Sequence, residues 1–227
     1  MQLNTCFSER VVMRSADLPW VESPTAGVDR KMLERDGAEV ARATSLVRYA
    51  PQSKFPTHVH GGGEEILVLD GTFQDEHGTY PAGTYLRNPV GTQHAPGSVT
   101  GCTLLVKLRQ LQAADQTRIV LHWPSAQWRQ GLVPGLSVLP LAEYEGEHTA
   151  LVRWAPGTLF NPHRHWGGEE IFVIEGELQD EHGIYGAGDW IRSPHLSQHQ
   201  PSSPKGCLIF VKTGHLPADY NSAHFST

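Results

Sequence analysis

Two histidines separated by one residue, His58 and His60, are followed by a glutamate pair, Glu64 and Glu65, and then by a third histidine, His94. The same residue types recur as His163, His165, Glu169, Glu170 and His199, each 105 positions further on. Imidazole and carboxylate together suit Zn, Fe, Ni, Mn or Cu, and four such ligands leave a position for water or substrate if coordination reaches five or six. Side chains at i and i+2 of a strand project to one face, so each His-x-His pair can converge on a point. A lone pair would equally describe two surface histidines on one strand. The set repeated at one offset points instead to two metal sites, one in each half of the chain.

The elements that must position these residues are short. Runs such as ERVVMR, SLVRYA, EEILVLDG and CTLLVKL are bounded by Gly, Pro, Asn or Asp, the pattern of an all-β sandwich or barrel. Only Asp29 to Glu39 could be helical, and its Asp36-Gly37 pair reads better as a hairpin turn. Gln74-Asp75-Glu76-His77-Gly78, identical in the second copy, reads as another hairpin turn whose glycine suits a positive φ.

Leu46 to Lys107 aligns without a gap to Leu151 to Lys212, and about half of the positions are identical, which is an internal repeat. Further toward the N-terminus the offset becomes 108, with Arg10 against Arg118, Trp20 against Trp128 and Gly27 against Gly135. The three-residue difference falls between Leu33 and Leu46, at the predicted turn, where length changes are best tolerated. Two domains are expected, residues 1–111 and 112–227, and the apolar starts of the two, Arg10 to Met13 and Arg118 to Leu121, are candidates to exchange between sheets.

The 227 residues carry a formal net charge of −6 and no basic cluster, so nucleic acid is not an expected partner. The N-terminus carries charge where a signal peptide needs an apolar core, and no apolar run is long enough to span a bilayer. Cys6, Cys102 and Cys207 are too few and too scattered for a disulfide framework. A cytoplasmic setting without membrane contact is the expectation.

The metal-type residues also carry a family resemblance. His58, His60, Glu64 and Gly71 match the later part of the first cupin motif, G(x)5HxH(x)3-4E(x)6G, and Gly83, Pro89, Gly91 and His94 match the second, G(x)5PxG(x)2H(x)3N. His163, His165, Glu169 and Gly176, then Gly188, Pro194 and His199, do the same in the second copy. Ser98 and Ser203 lie near the place of the terminal Asn, Leu196 replaces a glycine, and Gln52 and Ser53 precede the first His-x-His where the family usually has Gly. The finer wording resembles the ChrR-like cupins, named for anti-sigma factors with such a C-terminal domain. The resemblance implies two tandem cupin (double-stranded β-helix, or jelly-roll) barrels. It implies one divalent transition metal per domain, Zn or Fe first and Ni or Mn next. Adjacent glutamates point to opposite faces of a strand, and the cupin spacing selects Glu64 and Glu169. The ligand sets are then His58, His60, Glu64 and His94, and His163, His165, Glu169 and His199.

As to function, the resemblance implies a regulator responding to a small molecule or an oxidant at the metal sites. A sigma factor is the implied macromolecular partner, although the His-x3-Cys-x2-Cys motif with which those anti-sigma factors grip it does not occur in this sequence. The same subfamily resembles metal-dependent dioxygenases that cleave C–C bonds in small diketones and aryl ketones. A homodimer stays open. Four further pairs have two readings each. Arg87 and Arg192 are either anchors held by an ion pair or contacts to an anionic substrate. Gln93 and Gln198 could donate to the ligating histidines. Cys102 and Cys207 read as buried, inert thiols. Trp154 and Trp166 read as core.

Overall fold

The computed structural model describes residues 1–217. Antiparallel strands and two single-turn 3-10 segments, Ser15–Asp17 and Trp123–Ser125, make up the regular structure, with no α-helix among the described residues. Among the described residues no helix is long and apolar enough to cross a membrane. The Asp29 to Glu39 stretch is a strand, Val28–Gly37, that turns at the predicted hairpin into Ala41–Tyr49.

The chain forms two compact units that are discontinuous in sequence. Unit 1 comprises Met1–Thr5 and Asp17–Gln127, and unit 2 comprises Cys6–Ala16 and the chain from Trp128 onward. The discontinuity arises from strand exchange. Val11–Arg14, at the start of the first copy, completes the unit 2 sheet by pairing with Asp189–Ser193. Ile119–His122, at the start of the second copy, completes the unit 1 sheet by pairing with Thr84–Asn88. Each added strand covers what would otherwise be an open sheet edge.

In unit 1 the main sheet runs Gln2–Leu3, Val28–Gly37, Ala41–Tyr49, Cys102–Leu108, Glu64–Asp75, Thr84–Asn88 and Ile119–His122. Unit 2 repeats the order from the second strand on, with Leu136–Tyr144, Glu147–Trp154, Cys207–Thr213, Glu169–Asp180, Asp189–Ser193 and Val11–Arg14, and Arg129–Gln130 flanks it as Val21–Glu22 flanks Val28–Gly37. The long strand Glu64–Asp75 serves both walls of its barrel. Its first half lies in the main sheet, and its second half pairs with Gly78–Pro81 and touches Gly97–Ser98. Gly71, at φ +71°, marks the bend, and a Cβ there would come within 2.1 Å of the Gly101 carbonyl oxygen. Gly176 is held in the same way against Gly206. Only glycine fits such a close approach.

Alternation along these strands sends Ile66, Val68, Phe73, Leu86, Leu104 and Val106 into the unit 1 barrel, and Ile171, Val173, Leu178, Ile191 and Ile209 into that of unit 2. Burying each such side chain contributes roughly 1.5–3 kcal/mol. These apolar walls hold the polar clusters described next.

Candidate metal centres

In each unit a two-stranded ladder sets the first and last histidines opposite each other. His58 pairs with His94, and His163 with His199. The intervening Val59 points out to solvent, which leaves His60 on the inner side with His58. A glycine turn follows. Gly63, at φ +72°, returns the chain so that Glu64 opens the long central strand and faces the same interior.

The result is four ligand atoms within 4.8 Å of one another in each unit, from His58, His60, Glu64 and His94 and from His163, His165, Glu169 and His199. The three imidazole rings of unit 1 have centroids 4.7–5.1 Å apart, and those of unit 2 4.5–4.9 Å. Glu64 Oε2 lies 3.2 Å from His60 Nε2 and 3.4 Å from His94 Nε2. The corresponding distances from Glu169 Oε2 to His165 and His199 are 3.4 and 3.5 Å.

Each histidine is tethered through its other nitrogen or its main chain. His58 Nδ1 lies 3.0 Å from the Pro56 carbonyl, His60 Nδ1 2.9 Å from Thr92 Oγ1, and His94 Nδ1 3.1 Å from Asp75 Oδ2. In unit 2, His163 uses the Asn161 carbonyl at 2.9 Å and His199 uses Asp180 Oδ2 at 3.3 Å, while the His165 N–H donates to the Ser197 carbonyl at 3.0 Å. The Nε2 atoms of His60, His94, His165 and His199, and Oε2 of Glu169, are buried without a hydrogen-bond partner. Unpartnered buried acceptors are costly, and a cluster of them aimed at one point is the donor set of a cation site. The residues present therefore fit a divalent transition ion.

Burial and mutual repulsion hold His165 down to about 3, so its ring stays neutral. Burial also opposes charge on His94 and His199, but the hydrogen-bonded Asp75 and Asp180 outweigh it and raise both. Burial pushes Glu169 up to about 7. In unit 1 Asn88 donates to Glu64 Oε2 at 3.1 Å, an interaction that Ser193 at the equivalent position does not reproduce.

Asp75 and Asp180 are the site residues that sequence reasoning missed, because the QDEHG turn explained them. Asp75 Oδ1 accepts from the N–H groups of His77 and Gly78, which is indeed turn chemistry, while Oδ2 serves His94. A turn needs only one carboxylate oxygen, and a His nineteen residues on at the same offset in both copies was the available signal. Gln93 and Gln198, considered as donors to the histidines, are instead exposed and point away from the ligands. Alternation forces this, since their neighbours His94 and His199 point inward. Glu65 and Glu170 face the opposite side of the sheet, where they accept from Tyr85 Oη and Trp190 Nε1, each at 2.7 Å. Arg87 and Arg192 share that opposite side. Arg87 pairs with Asp115 at 2.6 Å, and Arg192 donates to the Cys6 carbonyl over the Phe7 ring. They anchor the exchanged segments. Trp154 is core as expected, but Trp166 is exposed.

The two clusters open on unlike cavities. That of unit 1 has a volume of about 440 Å³ and that of unit 2 about 160 Å³. The larger Trp154 narrows the second, where unit 1 has Tyr49, while Phe55 and Phe160 are equivalent. The unit 1 cavity is within the range of small-molecule sites, and the other is below it.

Comparison with known proteins agrees with this geometry. The model of the ChrR cupin-like domain matches residues 8–112 and again 116–217. No curated protein matches the sequence. Among solved structures, a candidate dioxygenase from Nostoc punctiforme superposes with a TM-score of 0.76 at 13% identity, covering 94% of this chain and 85% of that one. Ylba from Escherichia coli gives 0.71 at 15% identity, covering 94% of each chain. The bacterial pirin YhhW from Escherichia coli, solved with nickel(II), gives 0.66 at 14% identity over 92% of this chain and 99% of its own. At these identities the likeness is one of fold.

Proposed function

This chain belongs to the ChrR cupin-like family, and from that premise we propose that it is a two-centre metalloprotein whose first unit acts on a small organic molecule. His58, His60, Glu64 and His94 hold one divalent transition ion, and His163, His165, Glu169 and His199 hold a second. The observation that carries the reading is the pairing of matching ligand sets with unequal cavities, about 440 Å³ against about 160 Å³. The first centre has room for a substrate beside its ion. The second has too little room for one and stabilises its barrel through metal-linked folding energy.

We assign the first centre to dioxygenase-type chemistry on compounds such as small diketones or aryl ketones. When bound, a redox-active ion such as iron supplies the electrons and the open coordination positions that oxygen chemistry needs. The chain supplies the rest. Val28, Val47, Phe55, Ile66 and Leu104 line a largely water-excluding wall. Asp75 fixes the His94 ring so that Nε2, and not Nδ1, faces the centre. Beyond the ligands, the one carboxylate among the described residues lining the cavity is Glu39, which is taken up by Arg30 at 3.1 Å. That lack of a free acid or base suits chemistry confined to the ion, and it also suits a second reading, a sensor that binds its signal molecule without turning it over.

One experiment separates the two. The chain is loaded anaerobically with Fe(II), offered acetylacetone and acetophenone, and followed by oxygen uptake. Uptake that is lost in His94→Ala but kept in His199→Ala supports the enzyme at the first centre. Saturable binding without oxygen uptake replaces it with the sensor. A protein that takes up neither Fe, Zn, Ni nor Mn defeats both.

A further inference from the structure

The ligand sets of the two units match, but the charges around their cavities do not. Arg30, Arg35 and Arg109 all line the cavity of unit 1. Strand register gives their counterparts in unit 2. Arg30 pairs with Val47 as Val138 pairs with Val152, and Arg35 pairs with Ala43 as Glu143 pairs with His148. Arg109 corresponds to Gly214 at the repeat offset of 105. The second unit has thus lost every one of these cations.

Arg35 is 4% exposed, and its guanidinium donates to the backbone carbonyls of Ala38 and Glu39 on the longer hairpin of unit 1. It forms no ion pair with a described residue, because the Glu39 carboxylate is engaged by both terminal nitrogens of Arg30 at 3.1 and 3.4 Å. Arg35 is thus left to share the Glu39 carboxylate at longer range with a second arginine, a costly arrangement for a buried cation. Across the sheet, Arg35 stands opposite Ala43, Ala43 opposite Leu108, and Leu108 opposite the ligand Glu64. Three strand spacings separate Arg35 from Glu64, about 14 Å between main chains, which is the span of a small molecule plus the two side chains.

Arg109 carries a second, independent signature. Its φ is +58°, a left-handed conformation that its counterpart Gly214 adopts freely at +80°. Leu196 and Gln52 share this conformation but line neither cavity, whereas the strained Arg109 lines that of unit 1. Space is also made for it. A Cβ on Gly61 would lie 2.9 Å from Arg109 Nη1, and the second copy, which lacks the arginine, has Trp166 in place of that glycine. The Arg109 guanidinium has no hydrogen-bond or ion-pair partner among the described residues.

We propose that the unit 1 cavity takes a small organic carboxylate, received by Arg35 and drawn in by Arg109 at the mouth, with its apolar body against Val47, Phe55, Ile66 and Leu104. The proposal rests on the reading of unit 1 as the substrate-binding centre and narrows its ligand from neutral ketones to carboxylate-bearing compounds such as aryl keto acids. Unit 2 takes no such ligand.

The test is calorimetric titration of the full-length, zinc-loaded chain with phenylacetate and with its neutral isostere phenylacetamide. The expected result is one phenylacetate per chain, bound about tenfold more tightly than the amide, as a charge-assisted contact requires. Arg35→Met should reduce that preference to about threefold or less, and Arg109→Gly should weaken phenylacetate several-fold and flatten its salt dependence. Arg109→Gly relieves backbone strain, so it keeps the test valid if Arg35→Met does not fold. Equal binding of acid and amide, two phenylacetates per chain, or no binding overturns the proposal. So does a preference unchanged in both variants, because the carboxylate would then sit on the ion. Zinc content is measured on the same samples. A chain that takes up no zinc defeats the metal reading, while the acid-over-amide preference of that metal-free chain still decides the arginine proposal.

Discussion

Asp75 orients His94: its Oδ2 lies 3.1 Å from Nδ1 of the ring, which turns the unpartnered Nε2 toward His60 and Glu64. Asp180 does the same for His199 at 3.3 Å. Carboxylates behind ligating histidines fix the tautomer and raise ligand basicity, and their loss costs about 10–100-fold in metal affinity.

Asp75→Asn therefore weakens the first centre by about 10–100-fold while leaving the second intact. The amide keeps an oxygen for the N–H groups of His77 and Gly78, so the turn survives. Chelator competition followed by metal analysis should give one tight and one weakened ion per chain. Two unchanged ions would show that Asp75 serves the turn alone.

Metal affinity at the second centre should fall as pH drops through about 7. Without an ion, Glu169 is pushed up to about 7 by burial and His199 is raised by Asp180, so protons occupy the cluster near neutrality. An ion must displace them, whereas His165, held down to about 3, is already neutral. The sign is release of protons on binding and at least about tenfold loss of affinity per pH unit below 7. Zinc titration in two buffers of different ionisation enthalpy reads the proton count directly. A count of zero would refute the assignment.

Much of this was legible from the repeat, and the parts that were not have physical reasons. Histidines at i and i+2 share a face in any strand, so His58 with His60 and His163 with His165 needed no structure. Arg87 and Arg192 keep two readings in the sequence, anchor or substrate contact, because alternation does not say which side of the sheet is inward. The ladder opposite Glu65, not Glu64, puts Arg87 on the far side. The cavity arginines lie outside the motif altogether. Arg35 sits beside the three-residue length difference, and only the register identifies Glu143 as its counterpart.

Two departures from the cupin motifs carry backbone strain. Leu196 stands at φ +64° where Gly91 of the first copy is at +86°, and Gln52 stands at +62° where Gly157 is at +80°. Each side chain occupies a conformation that glycine takes without penalty. Leu196→Gly and Gln52→Gly should each stabilise the chain by about 1 kcal/mol, the lower end of the range for such strain. Urea unfolding of the metal-loaded protein measures this, and a loss of stability in both would contradict it.

Burial pushes the thiols of Cys102 and Cys207 up to about 11. Thiolate is the reactive form, so neither can act as an oxidant sensor in the folded state. A maleimide reagent should label one thiol per native chain, Cys6, which is exposed, and all three after unfolding. Native labelling at Cys102 or Cys207 would reopen thiol-based sensing.

The Arg87–Asp115 pair, at 2.6 Å with both side chains under 5% exposed, fastens the exchanged segment to the unit 1 sheet. Arg87 Nη1 also donates to the Thr117 carbonyl at 3.2 Å, two residues before the exchanged strand begins. Arg87→Met leaves a buried carboxylate without its cation and should cost about 3–5 kcal/mol. The pH dependence identifies the cause. In the native chain burial opposes charge on Asp115, but the bonds from Arg87 and Thr117 outweigh it and hold its pKa below the unfolded value of about 4. That stability is present above pH 4 and is lost as pH falls through the depressed folded value. In Arg87→Met the Thr117 bonds remain but the arginine's are gone, so the folded pKa moves up from its native position and the variant loses less stability than the native chain as pH falls through 4. The stability difference between the native chain and the variant should therefore be smaller at pH about 3.5 than at pH 7, whereas a constant difference would assign the loss to packing of the arginine stem.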